Sequence, residues 1–279
     1  MRNLDLSQYL RNFEVTNSDS PGKKLPISYP EDGNMSCYQI EENSFWFQQR
    51  NQLILKTFDW NSPPQPFFDI GGGNGFVAKA IQASGKDVVL VEPGKKGVEN
   101  AQKRGVKNVV NASFDESTFI PNSIPSVGLF DVVEHIENDA HFLKSIYSLL
   151  QPGGKVFITV PAYQFLWSQV DIEAGHFRRY RLGQIKKKLK NSGFEIEFSS
   201  YFFGYLLVPI FLFRALPYKL SKANKTRGEN QSSEEHKAGN FLIKSAINFI
   251  FNVELSLIKI FGALPLGASC IIVAKKGDL

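Results

Sequence analysis

The residues with the clearest chemical purpose gather around one glycine turn. Phe67-Phe68-Asp69-Ile70 is an apolar run carrying a single carboxylate, and Gly71-Gly72-Gly73-Asn74-Gly75 follows at once. Glycines there permit positive φ and let a ligand approach the backbone with no Cβ in the way. The pattern predicts a helix over 76–84, whose first N–H groups point into the turn. Glu92 ends a second apolar run, 87–92, and Asp131 lies near the end of another, 126–133. Two ligands compete for the turn. Gly73-Asn74-Gly75-Phe76-Val77-Ala78 fits the dinucleotide fingerprint, with Glu92 about twenty residues on as the ribose acid. That reading leads to a nicotinamide-dependent oxidoreductase. Asp69 argues the other way, because a carboxylate is badly placed beside a pyrophosphate and well placed beside an amino group or a sulfonium.

Further chemistry lies downstream. Of the four histidines, His141 falls on a predicted helix and His236 in a polar stretch. His135 and His176 fall nearer the turn, and either can serve as a general base. For His135 a hydrogen-bonded structural role fits as well. If the chain turns helical after Asp131, then Asp131, Glu134 and His135 stand at i, i+3 and i+4 and could hold a divalent cation. The stretch 163–180 is dense in recognition chemistry: Trp167, Asp171, His176, Arg178, Arg179 and Tyr180. Arginine pairs carboxylates and phosphates bidentately, so one of Arg178 or Arg179 is expected to meet an anionic substrate group.

The elements that must position these groups alternate. Strands are predicted at 87–92, 106–110, 126–133, 155–160, 194–202 and 267–275, besides the run holding Asp69. Helices are predicted at 76–84, 97–104 and 182–192, with another capped by Asn138 or Asp139 and stopped by Pro152-Gly153-Gly154. Near-continuous apolar strands between helices indicate a parallel sheet covered on both faces. Ligands of such sheets bind outside the carboxyl ends of the strands. Before the sheet, a short helix is expected near 4–13 and a longer one within 37–60. The latter carries Trp46, Phe47 and Arg50 and reads either as a core helix or as a cap over the ligand. Toward the end of the chain the alternation breaks. Residues 201–217 are apolar, 219–239 polar, and 241–264 an apolar helix holding Lys244, Glu254 and Lys259, with Glu254 expected to face solvent.

Composition bounds the rest. The 279 residues are 43% hydrophobic, with a net charge of +5. That size suits one α/β domain with additions. The mild positive charge suits an anionic substrate or surface, and Lys186-Lys187-Lys188 with Lys190 lacks the interleaved aromatics of a nucleic-acid site. Two distant cysteines, Cys37 and Cys270, and a polar start at Met1 point to a reduced, cytoplasmic protein. Neither apolar stretch of 205–265 reads as a span, since one is short and broken and the other is charged. The segment is expected to be a lid, a homodimer face or a peripheral anchor at the inner membrane face.

Taken together, Asp69-x-Gly71-x-Gly73-x-Gly75 with Glu92, Phe130-Asp131-Val132-Val133-Glu134-His135-Ile136 and Leu150-Gln151-Pro152-Gly153-Gly154-Lys155 resemble class I S-adenosylmethionine-dependent methyltransferases. Phe45-Trp46-Phe47 with Arg50, Gly175-His176-Phe177-Arg178-Arg179-Tyr180 and Pro265-Leu266-Gly267-Ala268-Ser269 resemble one bacterial branch of them. The resemblance implies a doubly wound Rossmann-like sheet of seven strands, mostly parallel with an antiparallel last strand, N-terminal helices and a helical insertion before that strand. It implies an N-terminal helical cap (1–60), a core (61–204 with 266–279) and the insertion (205–265). It implies an enzyme using S-adenosylmethionine, held by Asp69, Gly71, Gly73, Gly75 and Glu92, with Ser113 and Phe114 flanking the adenine and Asp131 nearby. Ser113 stands where many relatives carry an aspartate, and Asp115 is the neighbouring acid. Asp131, His135 and His176 are then the catalytic candidates. Trp46, Trp167, Asp171, Arg178, Arg179 and Tyr180 are the candidates for binding the acceptor. That acceptor is expected to be small or linked to a lipid or glycan, methylated on oxygen or nitrogen. The acid-acid-histidine spacing resembles metal-dependent ubiquinone-biosynthesis O-methyltransferases, although a metal is not expected for this chain.

Overall fold

The computed structural model describes residues 4–11, 38, 40–223 and 241–278. Seven strands form one sheet in the order β3-β2-β1-β4-β5-β7-β6. They are β1 (Phe67–Ile70), β2 (Val88–Val91), β3 (Asn108–Val110), β4 (Ile124–Phe130), β5 (Leu150–Pro161), β6 (Phe194–Phe202) and β7 (Ser269–Lys276). The first five pair in parallel, while β7 runs antiparallel to both β5 and β6. Residues of β1, β2 and β4 are buried throughout, as strands covered on both faces must be. The order reverses at β1, whose neighbours are β2 and β4, so the ligand crevice opens beyond the carboxyl ends of these two strands.

One face of the sheet is covered by α1 (Phe45–Asn61), α2 (Phe76–Ala83) and α3 (Lys95–Lys103). Ile54, Phe58, Val77, Ile81 and Ala101 pack there against Phe67, Val88 and Leu90. Phe58 lies 4.5 Å from Phe67 and 4.9 Å from Phe157, ring centre to ring centre, which locks α1 to the middle of the sheet. The other face carries α4 (Asp139–Leu149) and α6 (Leu182–Asn191), while the short α5 (Gln169–Glu173) follows β5 and meets the insertion between β6 and β7. Asn138 caps α4 through the His141 N–H, as its side-chain type predicts. Between β6 and β7, α7 (Leu207–Ile210) passes through a π-helical turn (Phe211–Ala215) into α8 (Leu216–Ala223), and α9 (Phe241–Phe261) follows.

The structure departs from the sequence reading at several boundaries. Residues 4–11 form a turn bridged from Leu10 to Phe119, not a helix, because Leu6, Tyr9 and Leu10 are drawn onto the core; residues 12 and 13 lie outside the described residues. The strand expected from Lys155 starts at Leu150 and runs through Pro152-Gly153-Gly154. Gly154 makes this possible, since a Cβ there would stand 2.8 Å from the Gln151 carbonyl oxygen and 3.0 Å from that of Pro125. The strand expected to reach Val133 stops at Phe130, where Asp131 takes a φ of 58° and turns the chain into a short 3₁₀ turn, Val133–His135. The polar stretch read over 219–239 is helical up to Ala223; the remainder, with His236, lies outside the described residues, as does Cys37. Cys270 is buried in β7.

Candidate functional site

Asp69 forms the floor of the crevice. It is 1% exposed, and its Oδ2 has no hydrogen-bond partner among the described residues. Burial pushes its carboxyl up to about 7; Arg50 opposes the shift and Glu92 adds to it. A Cβ at Gly72 would stand 2.8 Å from that Oδ2 and 2.9 Å from Leu90 Cδ1, so the Asp69 and Leu90 side chains would have to shift to admit one. Gly75 opens α2 in the left-handed region, with a φ of 76°. At the end of β2, the Glu92 carboxylate accepts from Gly73 N–H at 3.0 Å and from Gly94 N–H at 2.8 Å. Burial raises its carboxyl, and those two donors partly offset the shift. Each oxygen keeps a second lone pair for an incoming hydroxyl. A buried carboxylate oxygen without a partner, a cradle with no room for a Cβ and a two-oxygen acceptor beside it suit a ligand bearing a cation and a diol. S-adenosylmethionine is such a ligand.

Two outer elements brace the cradle. Arg104 donates to Glu41 at 2.7 Å and to the Asn74 carbonyl at 2.9 Å, beneath the rings of Tyr38 and Phe76. Asn100 donates to the Asn74 side chain at 2.9 Å. Periodicity could not single out Glu41, Asn74, Asn100 or Arg104; only this three-way contact does. Farther along, Phe114 is buried against Phe119, and Ser113 beside it is half-buried. Asp115 is occupied by its own turn, accepting from the Ser117 and Thr118 N–H groups.

The end of β4 holds a buried cluster of charge. Arg50 reaches from α1 to pair with Asp131, which also accepts from Thr159 Oγ1 at 3.0 Å. The guanidinium lies over the ring of Trp46, 4.9 Å from its centre. Arg50 also favours the charged forms of Asp69 and Glu134. Glu134 is fully buried and accepts no hydrogen bond from another described residue. Burial first, and Asp131 second, push its carboxyl well above the usual range. His135 is pushed down to about 4 by burial and by His176, whose ring centre is 4.7 Å away. It is therefore neutral near pH 7 and too weak a base to take a proton there.

His176 is held differently. Its Nδ1 lies 2.9 Å from Asp171 Oδ1, and its backbone N–H donates to the Asp171 carbonyl. Asp171 is buried and accepts from Ser168 N–H and, bidentately, from Arg179 at 2.7 and 3.0 Å. Burial alone would raise its carboxyl, but His176 and Arg179 pull it down to about 2. Arg178 pairs with Asp139 at 2.9 Å and donates to the Glu137 carbonyl at 2.7 Å. The buried Tyr180 hydroxyl also donates to Asp139, at 2.8 Å. Arg178 and Arg179, one of which was expected to meet an anionic substrate group, each pair with an acid of the protein, as does Tyr180. Trp46 and Trp167 remain half-buried.

Glu134, His135 and His176 each offer a ligand atom, all within 4.8 Å of one another. Among the described residues these three, and not the spaced set Asp131, Glu134 and His135, stand close enough together to hold a metal ion. The left-handed backbone at Asp131 removes it from the helical register, and its carboxylate faces Arg50 and Thr159. Glu254, expected in solvent, is 6% exposed; its carboxylate accepts from the Phe203 and Gly204 N–H groups, at 2.5 and 2.8 Å.

The model of the family described as "Methyltransferase domain" matches residues 39–197, more than half of the chain. A probable S-adenosylmethionine-dependent methyltransferase of Mycolicibacterium smegmatis is 22% identical over 63% of this chain and 70% of its own length. A ubiquinone biosynthesis O-methyltransferase of Vibrio parahaemolyticus is 27% identical over 33% of this chain, and the match spans only 41% of that enzyme. Among solved structures, phosphoethanolamine N-methyltransferase 2 of Haemonchus contortus, in complex with phosphomonomethylethanolamine and S-adenosylhomocysteine, superposes with a TM-score of 0.55 at 22% identity. That match covers 90% of this chain and 58% of the other, and it is a likeness of fold.

Proposed function

The chain belongs to the methyltransferase-domain family and is an S-adenosylmethionine-dependent methyltransferase, and we propose that it methylates a hydroxyl oxygen of a small or lipid- or glycan-linked acceptor, with His176 as the base. The cofactor supplies an activated methyl carbon. Asp69 would face its amino group, the 71–75 backbone its length, and Glu92 its ribose. His135, Asp131, Ser113 and Phe114 would line the remainder.

The observation that carries the hydroxyl reading is the His176–Asp171 pair. An ionised, buried aspartate fixes the His176 ring through Nδ1, so the lone pair at Nε2 is the one available to accept. With S-adenosylmethionine bound, its sulfonium would give up the methyl group to the acceptor oxygen, and His176 Nε2 would take the hydroxyl proton. His135, neutral and weakly basic, does not serve as the base in this reading. The test is methyl transfer from labelled cofactor into a metabolite and lipid extract. The product should carry an O-methyl group, and His176→Ala should lower kcat at least 100-fold with little change in cofactor affinity. An N-methyl product, or full kcat in the variant, overturns the reading.

A second reading has its own support. The Glu134, His135 and His176 donor set suits a divalent ion that would polarise the acceptor oxygen in place of a base. Titration with Mg²⁺ or Mn²⁺ followed by calorimetry, and activity after EDTA, decide between the two.

A further inference from the structure

The chain's exposed large apolar side chains are not scattered. Twelve of the fifteen among the described residues lie between 208 and 266, and the other three are Phe165, Ile172 and Phe177. On α9 they form one band. Its inner side buries Phe251, Leu255 and Ile258. A second side bonds to α1, where Gln49 donates to Asn248 at 3.0 Å and Gln52 to Asn252 at 3.1 Å. A third side presents Ile243, Ile250, Val253, Leu257 and Ile260, spaced at three, four and seven residues along one stripe, all at least 37% exposed. An apolar arc of this width on a surface helix is normally covered.

The charges beside it indicate what covers it. Lys219, Lys244 and Lys259 are exposed around the apolar band. The one acid among the described residues of 205–266 is Glu254, which is turned inward onto the Phe203 and Gly204 N–H groups. Among the described residues the outer surface of the insertion is therefore apolar and cationic, with no exposed carboxylate. A second copy docked there would set lysines against lysines. An anionic lipid surface would receive the side chains and neutralise the lysines. No helix of the described chain is long and apolar enough to cross a membrane, so the geometry is that of lying on the surface. The apolar surface also continues to the crevice: Phe211 of the π-helical turn meets Phe165 after β5, with ring centres 6.0 Å apart, and Ile172 and Phe177 flank His176 in the sequence and are exposed.

We propose that the outer face of α7–α9 seats on the surface of a bilayer containing anionic phospholipid, with the crevice rim around Phe165, Ile172 and Phe177 turned toward the lipid. This rests on the surface and its charge and does not depend on which atom is methylated. The test uses the full chain and vesicles of phosphatidylcholine with or without 30% phosphatidylglycerol, in a sedimentation assay without cofactor or acceptor. The chain should partition at least tenfold more strongly to the anionic vesicles, and 0.5 M salt should release it. Ile250→Gln with Leu257→Gln should lower partitioning at least tenfold, with S-adenosylhomocysteine affinity and Tm unchanged. Lys219→Glu with Lys259→Glu should remove the preference for anionic lipid. The proposal fails if anionic vesicles leave the chain in the supernatant. It also fails if Ile250→Gln with Leu257→Gln binds them as wild type does, or if equilibrium sedimentation finds a dimer that this substitution dissociates. Methyl transfer with a soluble acceptor is measured apart from these arms, so loss of one does not imply loss of the other.

Discussion

Asp69 makes the cofactor end of the site sensitive to pH in a calculable way. Its carboxyl stands near 7 because it is buried with one oxygen unpartnered. Only the ionised form can pair with the cofactor's ammonium or sulfonium. With that value, the ionised fraction falls from about nine-tenths at pH 8 to about one-tenth at pH 6, so the Kd for S-adenosylhomocysteine should rise about tenfold across this range. Asp69→Asn should abolish the pH dependence and weaken binding by about 1.5–3 kcal/mol, the worth of a charge-assisted hydrogen bond. Without ligand the sign reverses. The folded value lies above the ordinary 3.8, so the folded chain holds an extra proton between roughly pH 4 and pH 7. This stabilisation is full below the unfolded value and is lost as pH rises through about 7. Calorimetric titration at pH 6, 7 and 8 on both proteins gives the Kd values, and urea denaturation of the free chain gives the stability. A flat wild-type Kd, or an Asp69→Asn variant that binds as tightly as wild type at pH 8, would refute the assignment of this oxygen to the cofactor's cation.

Three further outcomes follow from the same charges. Arg50→Met leaves Asp131, Asp69 and Glu134 without their shared cation; it should cost about 3–5 kcal/mol in urea denaturation, and adding Asp131→Asn should recover at least about 1 kcal/mol of that. Asp171→Asn strands the buried Arg179 and frees the His176 ring, so stability should fall by about 3–5 kcal/mol and kcat should drop while cofactor Kd holds, which denaturation and steady-state kinetics separate. Glu92→Gln turns an NH₂ toward either Gly73 or Gly94 N–H; S-adenosylhomocysteine affinity should fall about 10- to 100-fold by calorimetry.

The sheet was legible because buried parallel strands and glycine turns leave a local imprint: Asp69, the 71–75 turn and Glu92 lie near the ends of apolar runs, and the fold brings those runs side by side. What sequence could not show was how side chains from distant segments choose partners. One of Arg178 or Arg179 was read as a hand for an anion, because spacing does not reveal that Asp139, about forty positions away, pairs with Arg178 and that Asp171, in the same stretch, folds back onto Arg179. Glu254 read as a solvent residue for the same reason: the N–H groups that draw it inward, Phe203 and Gly204, are about fifty positions away. Asp131 misled differently. Its spacing with Glu134 and His135 was helical on paper, and one left-handed residue cancels the register.

The helix 45–61 shows how two readings of one stretch can both be physical. Leu53, Ile54 and Phe58, on its middle and later turns, are fully buried and tie α1 to the sheet. Its earlier turns carry Gln49 and Arg50, which face opposite tasks. Gln49 accepts from Tyr205 and donates to Asn248 of α9, while Arg50 carries its charge to Asp131. Neighbouring residues of one helix thus join the insertion to the acids around the glycine turn. A core helix alone would need no buried arginine, given the cost of desolvating it. Arg50 pairs with Asp131 and favours the charged forms of Asp69 and Glu134, which burial disfavours. Its position on α1, rather than on the sheet, ties Asp131 to the same helix that bonds to α9.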